Sequence, residues 1–180
     1  MKDGNYTGAE YMIVPTKSGT AGNPITIIAE NDGQVTIDGQ NSRIPLDING
    51  KSYIDIEGIV FKNSNQAEVV IRGTSSYINI RRVSASKSNG SEYNIFEVSS
   101  GNHILIEDSV AYGTTRKLIA AYGGTSYITF RRNWGQFSTW TIGAGEPNFG
   151  NCMEFYGDVQ NSFIENNICT RPGSTRNAIA

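Results

Sequence analysis

One arrangement of polar and apolar positions recurs along the chain: a small polar residue, an aromatic, then alternating aliphatics. It runs Ser52-Tyr53-Ile54-Asp55-Ile56, Ser76-Tyr77-Ile78-Asn79-Ile80, Asn102-His103-Ile104-Leu105-Ile106 and Ser126-Tyr127-Ile128-Thr129-Phe130. A degenerate copy is Gln160-Asn161-Ser162-Phe163-Ile164, and the starts are 24, 26, 24 and 34 residues apart. Each copy leads through a turn into a second short apolar segment, as at Ile59-Val60-Phe61 and Val83-Ser84-Ala85. Each is preceded by a third: Leu46-Asp47-Ile48, Val69-Val70-Ile71, Ile95–Val98, Leu118-Ile119-Ala120 and Cys152–Phe155, with glycines between. Earlier in the chain, Tyr11–Val14, Ile25–Ala29 and Val35–Gly39 read as strands, and Pro15–Pro24 as a connection.

Period-2 alternation over four to six residues is the mark of a half-buried strand. Three such strands in about two dozen residues make one coil of a solenoid, with equivalent strands stacked about 4.8 Å apart. Leucine-rich repeats share the period but need a Leu/Asn consensus absent here, and a propeller blade needs more chain. The pattern predicts an all-β, right-handed parallel β-helix forming one domain over residues 1–180. Charge supports the alignment independently. The position after the last inward aliphatic reads Glu57, Arg81, Glu107, Arg131, Glu165, and the next reads Gly58, Arg82, Asp108, Arg132, Asn166. Neither column stacks like charges, which repel when directly opposite.

Composition changes this picture little. The chain is rich in glycine, with 20 residues, and 38% hydrophobic. No window holds a helical apolar period for three turns. A net charge of −2 and a pI of about 5.4 give the whole molecule no pull towards nucleic acid or an anionic membrane. No apolar run approaches a membrane span. The first eight residues lack a signal-peptide core. Neither end shows a polar cap, and Asn177–Ala180 reads as the start of a further strand, so a truncated β-helix is expected. Cys152 and Cys169 are too few for a disulfide framework or a zinc site. They read as two small buried hydrophobes, with a single disulfide as the alternative.

The segments Lys2–Gly8, Ser18–Ile27, Ala29–Gly33 and Tyr53–Phe61 resemble the N-terminal coils of β-helical polysaccharide lyases. The likeness is to the chondroitinase B and alginate lyase family and, more loosely, to family 9 pectate lyases. It covers about residues 1–65. It implies a polysaccharide substrate carrying uronates, cleavage by β-elimination, calcium as a possible cofactor, and a secreted or cell-surface location. It implies no catalytic residue here, because the motif that would carry one is not recognisable. Arg171-Pro172-Gly173-Ser174-Thr175-Arg176 has two arginines five apart, but its proline stands one place too early for the pectate lyase pattern.

Elimination at a uronate needs a cation on the carboxylate and a base near the C5 proton. Arg81, Arg82, Arg131 and Arg132 are assigned to the charge columns. Arg116 and Lys117 stand outside them, in the turn before Leu118, and are candidates to contact substrate. The longest insertion, Ser138–Asn151, carries Trp140, Glu146 and Asn148 and is flanked by Trp134 and Tyr156. An aromatic, a carboxylate and an amide on a loop suit carbohydrate contact. The outward column Tyr53, Tyr77, His103, Tyr127 is read as surface cover. His103 is the only histidine and takes no metal or triad role. A glycoside hydrolase would need paired carboxylates, and Glu107-Asp108 already faces arginines on both sides. The alternative from another class is a non-catalytic β-helix: a glycan-binding, adhesin or tailspike-like surface module.

Overall fold

In the computed structural model, residues 1–87, 93–113, 115–137 and 151–170 are described. They form a parallel β-solenoid with three sheets. Sheet A stacks β1 (Gly4–Thr7), β3 (Val35–Asp38), β6 (Ile59–Lys62), β9 (Ser84–Lys87), β12 (Val110–Gly113), β15 (Trp134–Phe137) and β18 (Ile168–Thr170). Sheet B stacks β4 (Leu46–Asn49), β7 (Val69–Arg72), β10 (Phe96–Ser99), β13 (Ile119–Tyr122) and β16 (Met153–Tyr156). Sheet C stacks β2 (Ile25–Ile28), β5 (Ser52–Glu57), β8 (Ser76–Arg81), β11 (Asn102–Glu107), β14 (Ser126–Arg131) and β17 (Phe163–Glu165). Among the described residues the only helix is a three-residue 3-10 turn, Ala9–Tyr11.

The register is the one the repeat predicts. Ile54, Ile78, Ile104 and Ile128 are in one column, and Ile56, Ile80, Ile106, Phe130 and Ile164 in another. All but Ile164 are buried. One expected strand does not form: of Tyr11–Val14, only Ile13 pairs, through an isolated bridge to Leu46. Tyr11 and Val14 are exposed, and Pro15 has no N–H to extend a ladder.

The charge columns become ion pairs. Glu107 receives hydrogen bonds from Arg81 Nε (2.7 Å), Arg131 Nη2 (2.6 Å) and Arg132 Nη2 (2.9 Å). Burial alone would raise the Glu107 carboxyl, but the bonds from Arg81 and Arg131 outweigh it and hold it below its ordinary value. Arg82 bridges Asp32 and Glu57, and Arg132 holds Asp108 in a two-point contact. The outward rings Tyr53, Tyr77, His103 and Tyr127 stack at 4.6–4.7 Å, as surface cover.

Polar side chains also stack inside the turn between sheets C and A. Asn133 Oδ1 accepts from Ser109 N, and its Nδ2 donates to Ile106 O. Asn167 repeats this one coil on, to Asn133 N and Phe130 O. Asn133 is buried, so Asn133→Leu strands a donor and an acceptor away from water. A loss of about 3 kcal/mol in urea unfolding is expected, at roughly 1–3 kcal/mol per orphaned group. A loss below 1 kcal/mol would remove the column from the account of stability.

The corner between sheets A and B changes chemistry along the axis. Glu68, Ile95, Leu118 and Cys152 each immediately precede a sheet B strand, and all four are buried. In the first of these coils Glu68 meets Lys87 at 3.8 Å. In the last, Cys152 is joined to Cys169 of β18, so the two cysteines are not free as expected but form a disulfide. Their side chains converge from the corner before sheet B and from sheet A. Gly135 belongs to the same corner: a Cβ there would collide with Cys152 Sγ. The bridge closes a 17-residue separation. Reduction, or the Cys152→Ala/Cys169→Ala pair, is expected to lower unfolding stability by about 3 kcal/mol. Equal melts with and without dithiothreitol would contradict it.

Candidate functional site

The outer face of sheet B gathers titratable side chains that are not consumed by the charge columns. Three residues at the entrance of successive strands stack here: Asn94 before β10, Lys117 before β13 and Asn151 before β16. Outward positions one step into those strands read Glu97, Ala120 and Glu154, in register. Asn94 Nδ2 donates to Glu97 (3.0 Å) and Asn151 Nδ2 to Glu154 (2.9 Å). The coil between them has alanine where its neighbours have glutamate. Among the described residues of its own coil Lys117 therefore has no acid, and it reaches the next, placing Nζ 3.2 Å from Glu154 Oε2.

Two tyrosines close the group. Tyr122 and Tyr156 are register partners with rings stacked at 4.8 Å. Tyr122 donates its hydroxyl to Glu97 Oε1 at 2.6 Å. Lys117 Nζ lies 3.5 Å from the centroid of the Tyr156 ring, where the π face attracts a cation. Alternation explains the placement. The inward residues Ile119 and Ala121 pin β13 to the core, which sets Tyr122 outward.

Burial sets the electrostatics. It disfavours the charged amine of Lys117 and lowers its proton affinity, against the opposing bond and charge of Glu154. Burial is also the main reason both phenols are raised, Tyr122 further by its bond to Glu97. Both therefore keep their protons near neutral pH and can donate hydrogen bonds. Asn94 Oδ1 is buried and has no hydrogen-bond partner among the described residues. Arg116 is exposed and, among the described residues, belongs to no ion pair. The group thus holds an amine of reduced basicity, a cation without an ion pair among the described residues, and two protonated phenols on one surface.

Of the residues singled out in the sequence, Arg116, Lys117 and Tyr156 come together here. Trp134 does not: it is exposed on the outer face of sheet A, in register with Val110 and Ile168. Trp140, Glu146 and Asn148, like Arg171–Arg176, lie outside the described residues. Asn94, Glu97, Tyr122 and Glu154 were not anticipated. The signal that finds them is register, since Asn-x-x-Glu occurs at both Asn94–Glu97 and Asn151–Glu154.

Calcium, implied by the family resemblance, needs several oxygen ligands. Among the described residues no three acidic, histidine or cysteine side chains gather to hold a metal. Glu97 and Glu154 are engaged by their amide, phenol and ammonium partners. The described donors do not fit the ion. No helix among the described residues is long and apolar enough to cross a membrane.

The comparisons with known proteins bear on the fold and the first half of the chain. The family model for chondroitinase B matches residues 1–87. The crystal structure of pectate lyase Pel9A matches with a TM-score of 0.70 at 17% identity, over 92% of this chain and 52% of that one. The chain thus spans about half the length of Pel9A, and at that identity the likeness is one of fold. No curated protein matches the chain. The Lys117 group lies beyond residue 87, outside the matched segment. The chain is a right-handed parallel β-helix that shares the fold of pectate lyase Pel9A and whose N-terminal coils are similar to chondroitinase B.

Proposed function

We propose that this β-helix is a polysaccharide lyase that cleaves a uronate-containing glycan by β-elimination on the outer face of sheet B. The observation that carries the reading is Lys117, a lysine whose proton affinity is lowered by burial, beside Arg116, a cation with no ion pair among the described residues. In the proposed reaction Arg116 pairs with the uronate carboxylate and so acidifies C5. The deprotonated fraction of Lys117, which burial favours, takes the C5 proton. The electron pair forms the C4–C5 double bond as the C4–O bond breaks, and the Tyr156 phenol gives the leaving oxygen its proton. The Cys152–Cys169 disulfide fits an oxidising compartment, which supports a secreted or cell-surface location.

A second reading has its own support. Lys117 is only 5% exposed, with its ammonium covered by Tyr156 and Glu154. A lysine held that way also serves a glycan-binding module that performs no chemistry, and fold does not separate the two. Ultraviolet absorbance of unsaturated uronate ends does. The chain is incubated with alginate, polygalacturonate and chondroitin or dermatan sulfate, with calcium and with chelator. A rise on one glycan establishes the lyase and names its substrate. A flat trace on all of them, from folded protein, sinks elimination on these glycans and leaves binding.

A further inference from the structure

A shallow, open depression of about 390 Å³ lies at the other end of sheet B from Tyr156. Met12, Val14 and Ile44 give it an apolar side, and Asn65 and Gln66 line it with polar groups. Two charges reach it, Asp47 and Arg43. They are not equivalent. Asp47 is taken by Arg72, which holds both its oxygens at 3.1 and 2.6 Å. Arg43 is half-buried and bonds only a neutral partner, Gln40 Oε1, at 2.9 Å. Arg72, Arg81, Arg82, Arg131 and Arg132 all have carboxylate partners. Among the described residues the arginines left without one are Arg43 and Arg116.

Those two share a position in the repeat. Each stands three residues before its sheet B strand, Arg43 before β4 and Arg116 before β13. The strands between are β7 and β10, so three strand spacings separate the two coils, about 14 Å along the axis. A pocket with an apolar wall, amides and one uncompensated guanidinium suits a pyranose bearing a carboxylate: ring C–H groups on Met12, Val14 and Ile44, hydroxyls on Asn65 and Gln66.

We infer that this pocket is a second binding site for an acidic saccharide, with Arg43 as its anchor, and that one glycan chain laid along the axis engages Arg43 and Arg116 together. The inference rests on the acidic-glycan part of the proposed function and is independent of the elimination chemistry.

The test is calorimetric titration of Lys117→Arg protein, used as a background without turnover. The ligands are hexasaccharides of galacturonate, of mannuronate/guluronate and of chondroitin, with a neutral xylan hexasaccharide as control. Arg43→Gln is expected to weaken the best uronate ligand about tenfold or more, since a charge-assisted contact is lost. Val14→Asp places a carboxylate in the pocket from an exposed position and is expected to do the same without burdening the fold. Amide resonances of Ile44 and Asn65 should shift on titration. The inference is overturned if Arg43→Gln binds as the parent does, if xylan binds as tightly, or if no uronate ligand binds. The lyase reading fails separately: a flat ultraviolet trace together with Arg43-dependent binding leaves this site standing and removes the chemistry.

Discussion

Lys87→Met is expected to destabilise the chain by about 3–5 kcal/mol, and adding Glu68→Gln is expected to recover at least half of that loss. Lys87 and Glu68 are both buried. Lys87 Nζ donates to Ser64 O at 3.0 Å and Gln66 O at 2.5 Å, and lies 3.8 Å from Glu68 Oε1. Both Glu68 oxygens accept from Ser64 N. Removing the lysine leaves a carboxylate in the interior with its cation gone, which is the costly way to break a buried pair. Glutamine in place of Glu68 removes that charge and still accepts from Ser64 N, so the second substitution offsets much of the first. Urea unfolding of the four proteins measures the coupling. Additive losses would mean the two residues do not act as a pair.

The pair also carries a pH signature. Burial raises the Glu68 carboxyl to about 7, against the lowering effects of the Ser64 bond and Lys87. A carboxyl raised in the folded state contributes stability that is full below its ordinary value and is lost as pH rises through about 7. Lys87, lowered by burial, works in the opposite sense. Lys87→Met leaves the Glu68 slope bare and takes away one of the effects holding it down. The variant's deficit should therefore be smaller at pH 5 than at pH 8. A deficit independent of pH would show that Glu68 does not change its proton between those values.

How much of this was legible in the chain depends on what fixes each contact. Strand stacking repeats one geometry, so Ile54, Ile78, Ile104 and Ile128 could be placed over one another from spacing, and the alternation of Glu57, Arg81, Glu107 and Arg131 followed. Contacts across the interior have no such period. Cys152 lies just before a sheet B strand and Cys169 on sheet A, and only the cross-section of the coil turns them towards each other. Lys87 was open to detection: in Ser84-Ala85-Ser86-Lys87 the alternation that buries Ala85 also turns Lys87 inward. Its polar neighbours disguise it as a solvated end. The site is intermediate. Arg116 and Lys117 stood out as cations without a column, but Glu154 is 37 residues beyond Lys117 in the longest coil, and Ala120 is what sends the lysine there.

Lys117→Arg is expected to abolish turnover on the substrate glycan, by about 10²–10⁴-fold in kcat, while leaving the fold and glycan affinity near those of the parent. Arginine keeps the positive charge against Glu154 and the Tyr156 ring. It does not deprotonate in proteins, so it cannot take the C5 proton. Lys117→Met loses charge as well as base, and should weaken binding together with turnover. The split between the two variants separates a base from a cation that only holds substrate, which Arg would replace with little loss of rate. The pH profile gives a second reading. Because burial lowers the Lys117 amine, the rising limb of kcat/KM should fall below the range of an ordinary lysine, and Glu154→Gln, which removes the carboxylate that opposes the lowering, should move it lower still. A rising limb that stays in place in Glu154→Gln would take the proton transfer away from Lys117, even in a protein that proved to be a lyase.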